Sequence, residues 1–305
     1  MAEDLPVTNL TDRYLKSGPA KLTREQAEAY LKSNGRNAAT LLAAFRASDD
    51  TALLEEAMEK FPNDPRVDLA AIFKSGSSPE EQRQWLSAFE RSAPDNALAN
   101  YLSALNYFKA GQSEQAVQEL SAASGKPQFQ GYARESAQSD VEAFLAAGYS
   151  VGDAKVFGPT INPQTPINSA LRELGQDMLG LATGYQQSGD QASAQTAFQM
   201  TVNLGRTLDA PDGATAVGRL VGMNIERTAF NAMDPAGPYG AAGQTVQDRI
   251  DQLAQQRTAL MELGNQFGSV APMMSEQDWI NYRDRQWAFG QAAAQQWVIS
   301  KYGPR

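Results

Sequence analysis

The chain has 305 residues, is 42% hydrophobic and carries 26 Lys and Arg against 35 Asp and Glu, a net charge of −9. That is enough apolar material for a core and the wrong charge for a general nucleic-acid binder, which needs cations to displace counterions from phosphates. Neither Cys nor His occurs, which excludes disulfides, thiolate nucleophiles, zinc ribbons, iron–sulfur clusters, His-ligated metals and a Ser-His-Asp triad; no cofactor is expected.

Residues 1–22 form an N-terminal segment with no basic stretch running into an apolar one, so no signal peptide is visible. No stretch reaches the ~20 apolar residues that span a bilayer. From there the reading is helical throughout, rich in Ala and Gln and without period-two runs of β-branched residues. Capping boxes are expected at Thr23–Gln26, Ser78–Glu81 and Ser275–Asp278, the last with Asp in place of Glu, and Thr165-Pro166 has the form of an N-cap before a first-turn proline. Helices are predicted at 23–33, 37–47, 50–61, 65–75, 79–92, 97–110, 113–124, 128–147, 167–188, 190–207, 213–232, 243–268 and 275–302. Their lengths and short connections suit antiparallel helix pairs.

Two connections are rich in helix breakers, residues 158–166 (GPTINPQTP) and 234–240 (DPAGPYG). The first separates halves of different charge chemistry. Residues 1–157 hold eight Lys and eight Arg against 22 acids; residues 158–305 hold one Lys and nine Arg against 13. The expected organisation is helical repeats over 23–157 and a second helical section over 158–305 that contains one more repeat-like unit and closing helices.

Breakers in the first half recur at a near-constant interval, Pro62–Pro65, Pro94–Asn96 and Lys126-Pro127, 32 and then 33 residues apart. A period near 34 with two helices per unit is the mark of a helical-repeat solenoid. From Ala97, the stretch has Ala104, Tyr107 and Gly111, then Ala116, Leu120 and Ala123; from Gly175 it has Leu181-Ala182, Tyr185, Gly189, Ala194 and Phe198. Small residues let two helices approach, aromatics fill the space beside them, and Gly ends the first helix. Both stretches resemble tetratricopeptide repeats. They depart from that pattern at Asn100, Ser103 and Thr201. The resemblance is good over 97–124 and 175–202, plausible over 37–94 and absent after about 210. It implies an all-α fold, a right-handed α–α solenoid with a C-terminal helical section. The whole chain is also similar to uncharacterised bacterial helical-repeat proteins that follow an export signal or a membrane anchor. That likeness carries no known activity; it leaves two compartments open, an exported or membrane-anchored full-length protein or a soluble cytoplasmic one, and the absence of Cys fits either.

The resemblance further implies a concave groove. Carried over residue by residue, it is lined by Leu98, Tyr101, Leu105, Phe108 and Lys109 in the first stretch and by Gln176, Leu179, Thr183, Gln186 and Gln187 in the second. The first set suits an apolar peptide, while burial against a neighbouring helix is the competing fate of its apolar members. Neither set has the Lys and Asn pattern that clamps a C-terminal carboxylate in chaperone-binding members.

Other candidates are weaker. Gly148-Tyr149-Ser150-Val151-Gly152 spells a GxSxG elbow, but it follows a helix and lacks a His base, so Ser150 reads as a helix cap. The carboxylate pairs Asp49/Asp50, Glu55/Glu56 and Glu80/Glu81 are sequence neighbours, which do not face one another on a helix. The C-terminal stretch concentrates aromatics, with Trp279, Tyr282, Trp287 and Trp297 as a candidate ligand wall; Trp279 and Trp297 would share a face of one continuous helix. The competing reading is a helix that seals the core. Arg283, Asp284 and Arg285 read as a solvated, partly paired face. The leading expectation is a non-catalytic protein-interaction scaffold with a protein or peptide partner. The alternatives are a small-molecule or glycan binder using the C-terminal aromatics, a carboxylate-only hydrolase with one acid of raised pKa in a cleft, and a purely structural role.

Overall fold

A computed structural model describes residues 21–161, 164–209, 215–240 and 243–303. The fold is all-α. Among the described residues there are fifteen α-helices, two short 3-10 turns and no strand beyond two isolated bridges. In chain order the helices are α1 (Arg24–Asn34), α2 (Ala38–Ser48), α3 (Thr51–Lys60), α4 (Pro65–Ile72), α5 (Pro79–Ser92), α6 (Ala97–Lys109), α7 (Ser113–Ser124), α8 (Ala133–Ala146), α9 (Val151–Phe157), α10 (Gln164–Gln187), α11 (Gln191–Asp209), α12 (Ala216–Asn231), α13 (Val246–Val270), α14 (Glu276–Phe289) and α15 (Gln291–Tyr302). Consecutive helices pack on each other in most cases, in keeping with an α–α solenoid.

Helix starts follow from side chains that satisfy orphan backbone N–H groups. Reciprocal capping boxes form at Thr23–Gln26 and Ser78–Glu81, and a third at Asn37–Thr40. Ser275 accepts from the Asp278 N–H, but no reciprocal box forms there, because the Asp278 carboxylate is taken by Lys301, Tyr302 and the Ser275 hydroxyl. Helix ends use one device three times. Tyr107 with Gly111, Phe144 with Gly148 and Tyr185 with Gly189 have the same spacing. In each, the N–H after the glycine bonds back to the aromatic residue's carbonyl, at 2.9, 3.1 and 3.0 Å. The glycines have φ of 71°, 88° and 84°, the left-handed region where a β-carbon is penalised.

The chain forms two compact units. One comprises Met1–Ala71, Tyr132–Pro163 and Met261–Arg305; the other comprises Ile72–Gly131 and Gln164–Leu260. These units do not follow the division expected at residue 158, since each takes stretches from both halves. In the first unit, α2 packs on α1, α3 and α8, and α9 packs on α8 and α14. Its core joins Tyr30, Leu41, Leu54, Phe144, Phe157, Trp279 and Val298. Arg46 of α2 forms a bidentate ion pair with the fully buried Asp140 of α8, Nη2 to Oδ1 2.6 Å.

In the second unit, α5 packs on α6, α6 on α7, and α10 on α11 and α12. The two repeat-like hairpins, α6–α7 and α10–α11, are brought together through α6 and α10 although α8 and α9 lie between them in sequence. The consensus departures on α6 have specific partners. Asn100 Nδ2 donates to Glu119 of α7 at 2.6 Å, and the Ser103 hydroxyl donates to Glu90 of α5. Where the repeat family places an apolar residue, this chain ties three helices together through carboxylates.

Three helix predictions need correction, one of them the start at 167, since α10 begins at Gln164 and Thr165 lies inside it rather than at its N-cap. The helix predicted at 128–147 begins at Ala133, because the preceding stretch is held extended. The Asn96 side chain donates to the Gln130 carbonyl at 2.8 Å and accepts from its N–H at 3.0 Å, while the Ala97 N–H reaches the Gln128 carbonyl. At Ser150 the cap reading holds: its hydroxyl accepts from the Asp153 N–H and the short helix α9 follows. The single helix predicted at 275–302 is two, broken at Gly290 with φ 85° and ψ 164°.

Candidate binding cleft

The second unit contains an apolar cleft of about 240 Å³ lined from three helices. Val117 and Leu120 come from α7, Met178, Leu181 and Tyr185 from α10, and Ala192, Ser193, Thr196, Ala197 and Met200 from α11. It opens where the two hairpins diverge: α6 and α10 pack extensively, whereas α7 and α11 touch only lightly. Small residues on α11 leave the space, and the two methionines and Tyr185 shape it. Methionine side chains are unbranched and adapt to irregular apolar partners.

The residues carried over for a concave groove are distributed differently. Leu98, Tyr101 and Leu105 are buried in the second unit. Tyr101 stands edge-on to Phe129, ring centroids 6.2 Å apart, so these three do not form an open groove. Phe108 is half-buried, and Lys109 is exposed and paired with Glu173 at 2.8 Å. Gln176, Gln186 and Gln187 are exposed, while Leu179 and Thr183 are half-buried. Leu179 packs against the Ala182, Ala194 and Phe198 cluster, and the Thr183 hydroxyl donates to the Leu179 carbonyl at 2.9 Å. None of the ten lines the cleft. Its walls are instead Leu120, Leu181 and Tyr185, which the repeat pattern assigns to packing within a hairpin.

The C-terminal aromatics do not make one wall. Trp279 and Tyr282 are buried and pack against Phe267, which stacks on Tyr282 at 4.9 Å. The break at Gly290 puts Trp297 on a different helix from Trp279, so their spacing no longer sets a common face. Trp287 is half-buried with the Lys155 ammonium 5.9 Å from its ring centroid. Trp297, also half-buried, has Arg285 at 4.8 Å and Lys301 at 5.8 Å. Both rings are already covered by cations.

The charged residues nearest the lining along its helices are acids, with Lys109 close to Asp177 and Lys126 close to Glu119. Burial is the first cause that raises the Glu119 carboxyl, opposed by its bond from Asn100. Burial likewise raises Asp177, with repulsion from Glu173 adding and Lys109 opposing. Asp190 is held below the usual range by the hydroxyl and N–H of Ser193 at the start of α11.

Elsewhere in the unit, sequence reasoning passed over Glu226. It is fully buried, accepts from Arg249 Nη2 at 3.0 Å and lies 3.5 Å from Arg206 Nε. Burial raises its carboxyl against the pull of both arginines. A lone glutamate in a helical stretch carries no sequence signal of burial. Among the described residues no cluster of three or more carboxylates could hold a metal ion, and no helix is long and apolar enough to cross a membrane.

Comparison with protein-family models, with curated proteins and with solved structures yields no match.

Proposed function

We propose that the chain is a non-catalytic scaffold of tetratricopeptide-like type that holds a segment of another protein in the cleft between α7, α10 and α11. The observation that carries this reading is the cleft's size and lining together. Ligand pockets for drug-sized molecules run to roughly 300–1,000 Å³ and place several polar groups among apolar walls. This cleft is smaller, about 240 Å³, and seven of its ten lining residues are apolar, with hydroxyls only at Tyr185, Ser193 and Thr196. It has room for one or two large apolar side chains. Anchoring through a few buried side chains is how helical and extended peptides are recognised.

The test is selection of peptides from a displayed random library on the purified protein, followed by affinity measurement with the Thr196→Trp variant. Thr196 lines the cleft from an exposed position, so a tryptophan there fills the space without disturbing the core. The reading expects selected peptides to share apolar anchors and to lose at least tenfold in affinity to the variant, with its melting temperature unchanged. Selected peptides that bind wild type and variant equally would overturn it.

A further inference from the structure

The charged residues that the cleft helices carry within a turn of its lining are acidic, with Lys109 close to Asp177 and Lys126 close to Glu119. Along α7, α10, α11 and the turn before α11, the charged residues within one helical turn of a lining residue are Glu114, Glu119, Asp177 and Asp190. No Lys or Arg occupies any of those positions. Glu114 is exposed one turn before Val117, Asp177 lies beside Met178 and one turn before Leu181, and Asp190 is exposed at the start of α11. Lys109, one of the cations that reach this rim electrostatically, is already engaged by Glu173. An apolar floor flanked by acids selects for the charge of whatever covers it, because like charges brought into a desolvated interface repel strongly.

The walls also select for backbone conformation. All three are helices, whose backbone N–H and C=O groups are used internally, so they offer no ladder to which an extended peptide could add as a strand. A partner that satisfies its own backbone fits such walls, and side chains at i and i+4 of a helix stand about 6 Å apart, close enough for two to enter one small cleft.

We infer that the partner segment is a cationic amphipathic helix, which sets two apolar side chains into the cleft and its Lys or Arg residues against Glu114, Asp177 and Asp190, which stand three or four residues from Val117, Leu181 and Ser193 of the lining. This rests on the reading of the cleft as a peptide site and adds the partner's charge and conformation.

The experiment uses fluorescence anisotropy with three labelled synthetic peptides: a Leu–Lys amphipathic helix, a Leu–Glu helix of the same pattern, and a Lys–Gly–Ser chain of equal charge without apolar residues. Each is titrated with the full chain, with Thr196→Trp, and with the triple variant Glu114→Gln, Asp177→Asn, Asp190→Asn, whose last change keeps a capping side chain. The expected result is that the Leu–Lys helix binds at least tenfold more tightly than either other peptide. Its affinity should fall with added salt, fall about tenfold in the triple variant, and be abolished by Thr196→Trp. If both helices bind equally, are untouched by the triple variant and are both displaced by Thr196→Trp, the charge inference is overturned while the peptide site stands. If Thr196→Trp leaves the helices' binding unchanged, the site itself is overturned. Equal binding of the Lys–Gly–Ser chain would reduce the effect to unspecific attraction and also overturn the inference.

Discussion

Gly222 of α12 sits so close to Gly205 of α11 that a β-carbon on Gly222 would lie 2.4 Å from the Gly205 carbonyl oxygen. A β-carbon on Gly205 would lie 2.7 Å from the Gly222 oxygen and 2.6 Å from Glu226 Cγ. The obstacles are largely backbone and cannot swing away. Two helices thus cross with main chains in contact, and the same approach buries Glu226 between them.

This crossing gives a prediction with a sign change. In an open helix, Gly→Ala stabilises by up to about 1 kcal/mol. Gly264 of α13 has nothing within 4 Å of its would-be β-carbon, so Gly264→Ala should raise the melting temperature. Gly222→Ala should lower it, with overpacking costing about 1–3 kcal/mol or more. Thermal unfolding followed by circular dichroism reads both; a stabilised Gly222→Ala would mean that the helices are further apart.

The Arg46–Asp140 pair predicts a pH-dependent mutant effect. Burial pushes the Asp140 carboxyl up to about 6, with Arg46 pulling against it. Because the folded value is raised, the fold binds this proton more tightly than the unfolded chain. Asp140's contribution to stability is therefore greatest below about pH 4 and declines as pH rises to about 6. Arg46→Leu removes the opposing cation and leaves a buried carboxylate, a loss of about 3–5 kcal/mol where that group is ionised. Denaturant titrations should show the loss at pH 7 and a smaller loss at pH 5. An equal loss at both would mean that water reaches Asp140.

Asp278 and Glu56 act with the opposite sign. Burial opposes ionisation of Asp278, but bonds from Lys301, Tyr302 and Ser275 outweigh it and hold the carboxyl at about 2. The Arg36 guanidinium holds Glu56 at about 2 as well. Both folded values lie below the unfolded ones, so this stability is present above about pH 4.5 and is lost as pH falls toward 2. Asp278→Asn should cost at most about 2 kcal/mol at pH 6, and nearly nothing at pH 2. A mutant gap that persists at pH 2 would contradict the ion-pair account.

Gly290 separates α14 from α15 with φ 85°. Gly290→Ala should destabilise by about 1–3 kcal/mol, the cost of a β-carbon at φ 85° and ψ 164°, a backbone region that is essentially glycine's alone. A rise in melting temperature would mean that the two helices can join into the single helix that periodicity suggests.

Most helix starts were legible because their causes are local. Thr23, Ser78 and Ser150 each cap a helix within three residues of themselves, and Gly111 and Gly189 each end one. What was not legible depends on distant partners. Asn96 holds Gln130 extended from 34 residues away, and nothing near Gln128 announces this. The break at Gly290 was hidden because aromatics and polar residues continue a helical period on both sides. The burial of Leu98, Tyr101 and Leu105 was hidden for a similar reason. Counting along a repeat puts Leu98, Tyr101 and Leu105 on a free face, but α10 arrives from beyond α9 to pack against α6. That same arrival opens the cleft at Leu120, Met178 and Met200, which only the tertiary pairing of two sequence-distant hairpins creates.

The most direct test of the cleft is a methyl NMR titration with methionine labelled at Cε and the Leu–Lys helix as ligand. Nine methionines are present. Met178 and Met200 line the cleft, whereas Met261 and Met273 are 42% and 55% exposed in the other unit. The account predicts that Met178 and Met200 shift together, saturate together and lose their response in Thr196→Trp, while Met261 and Met273 stay in place. Shifts confined to Met261 and Met273, with Met178 and Met200 unmoved at saturation, would contradict it.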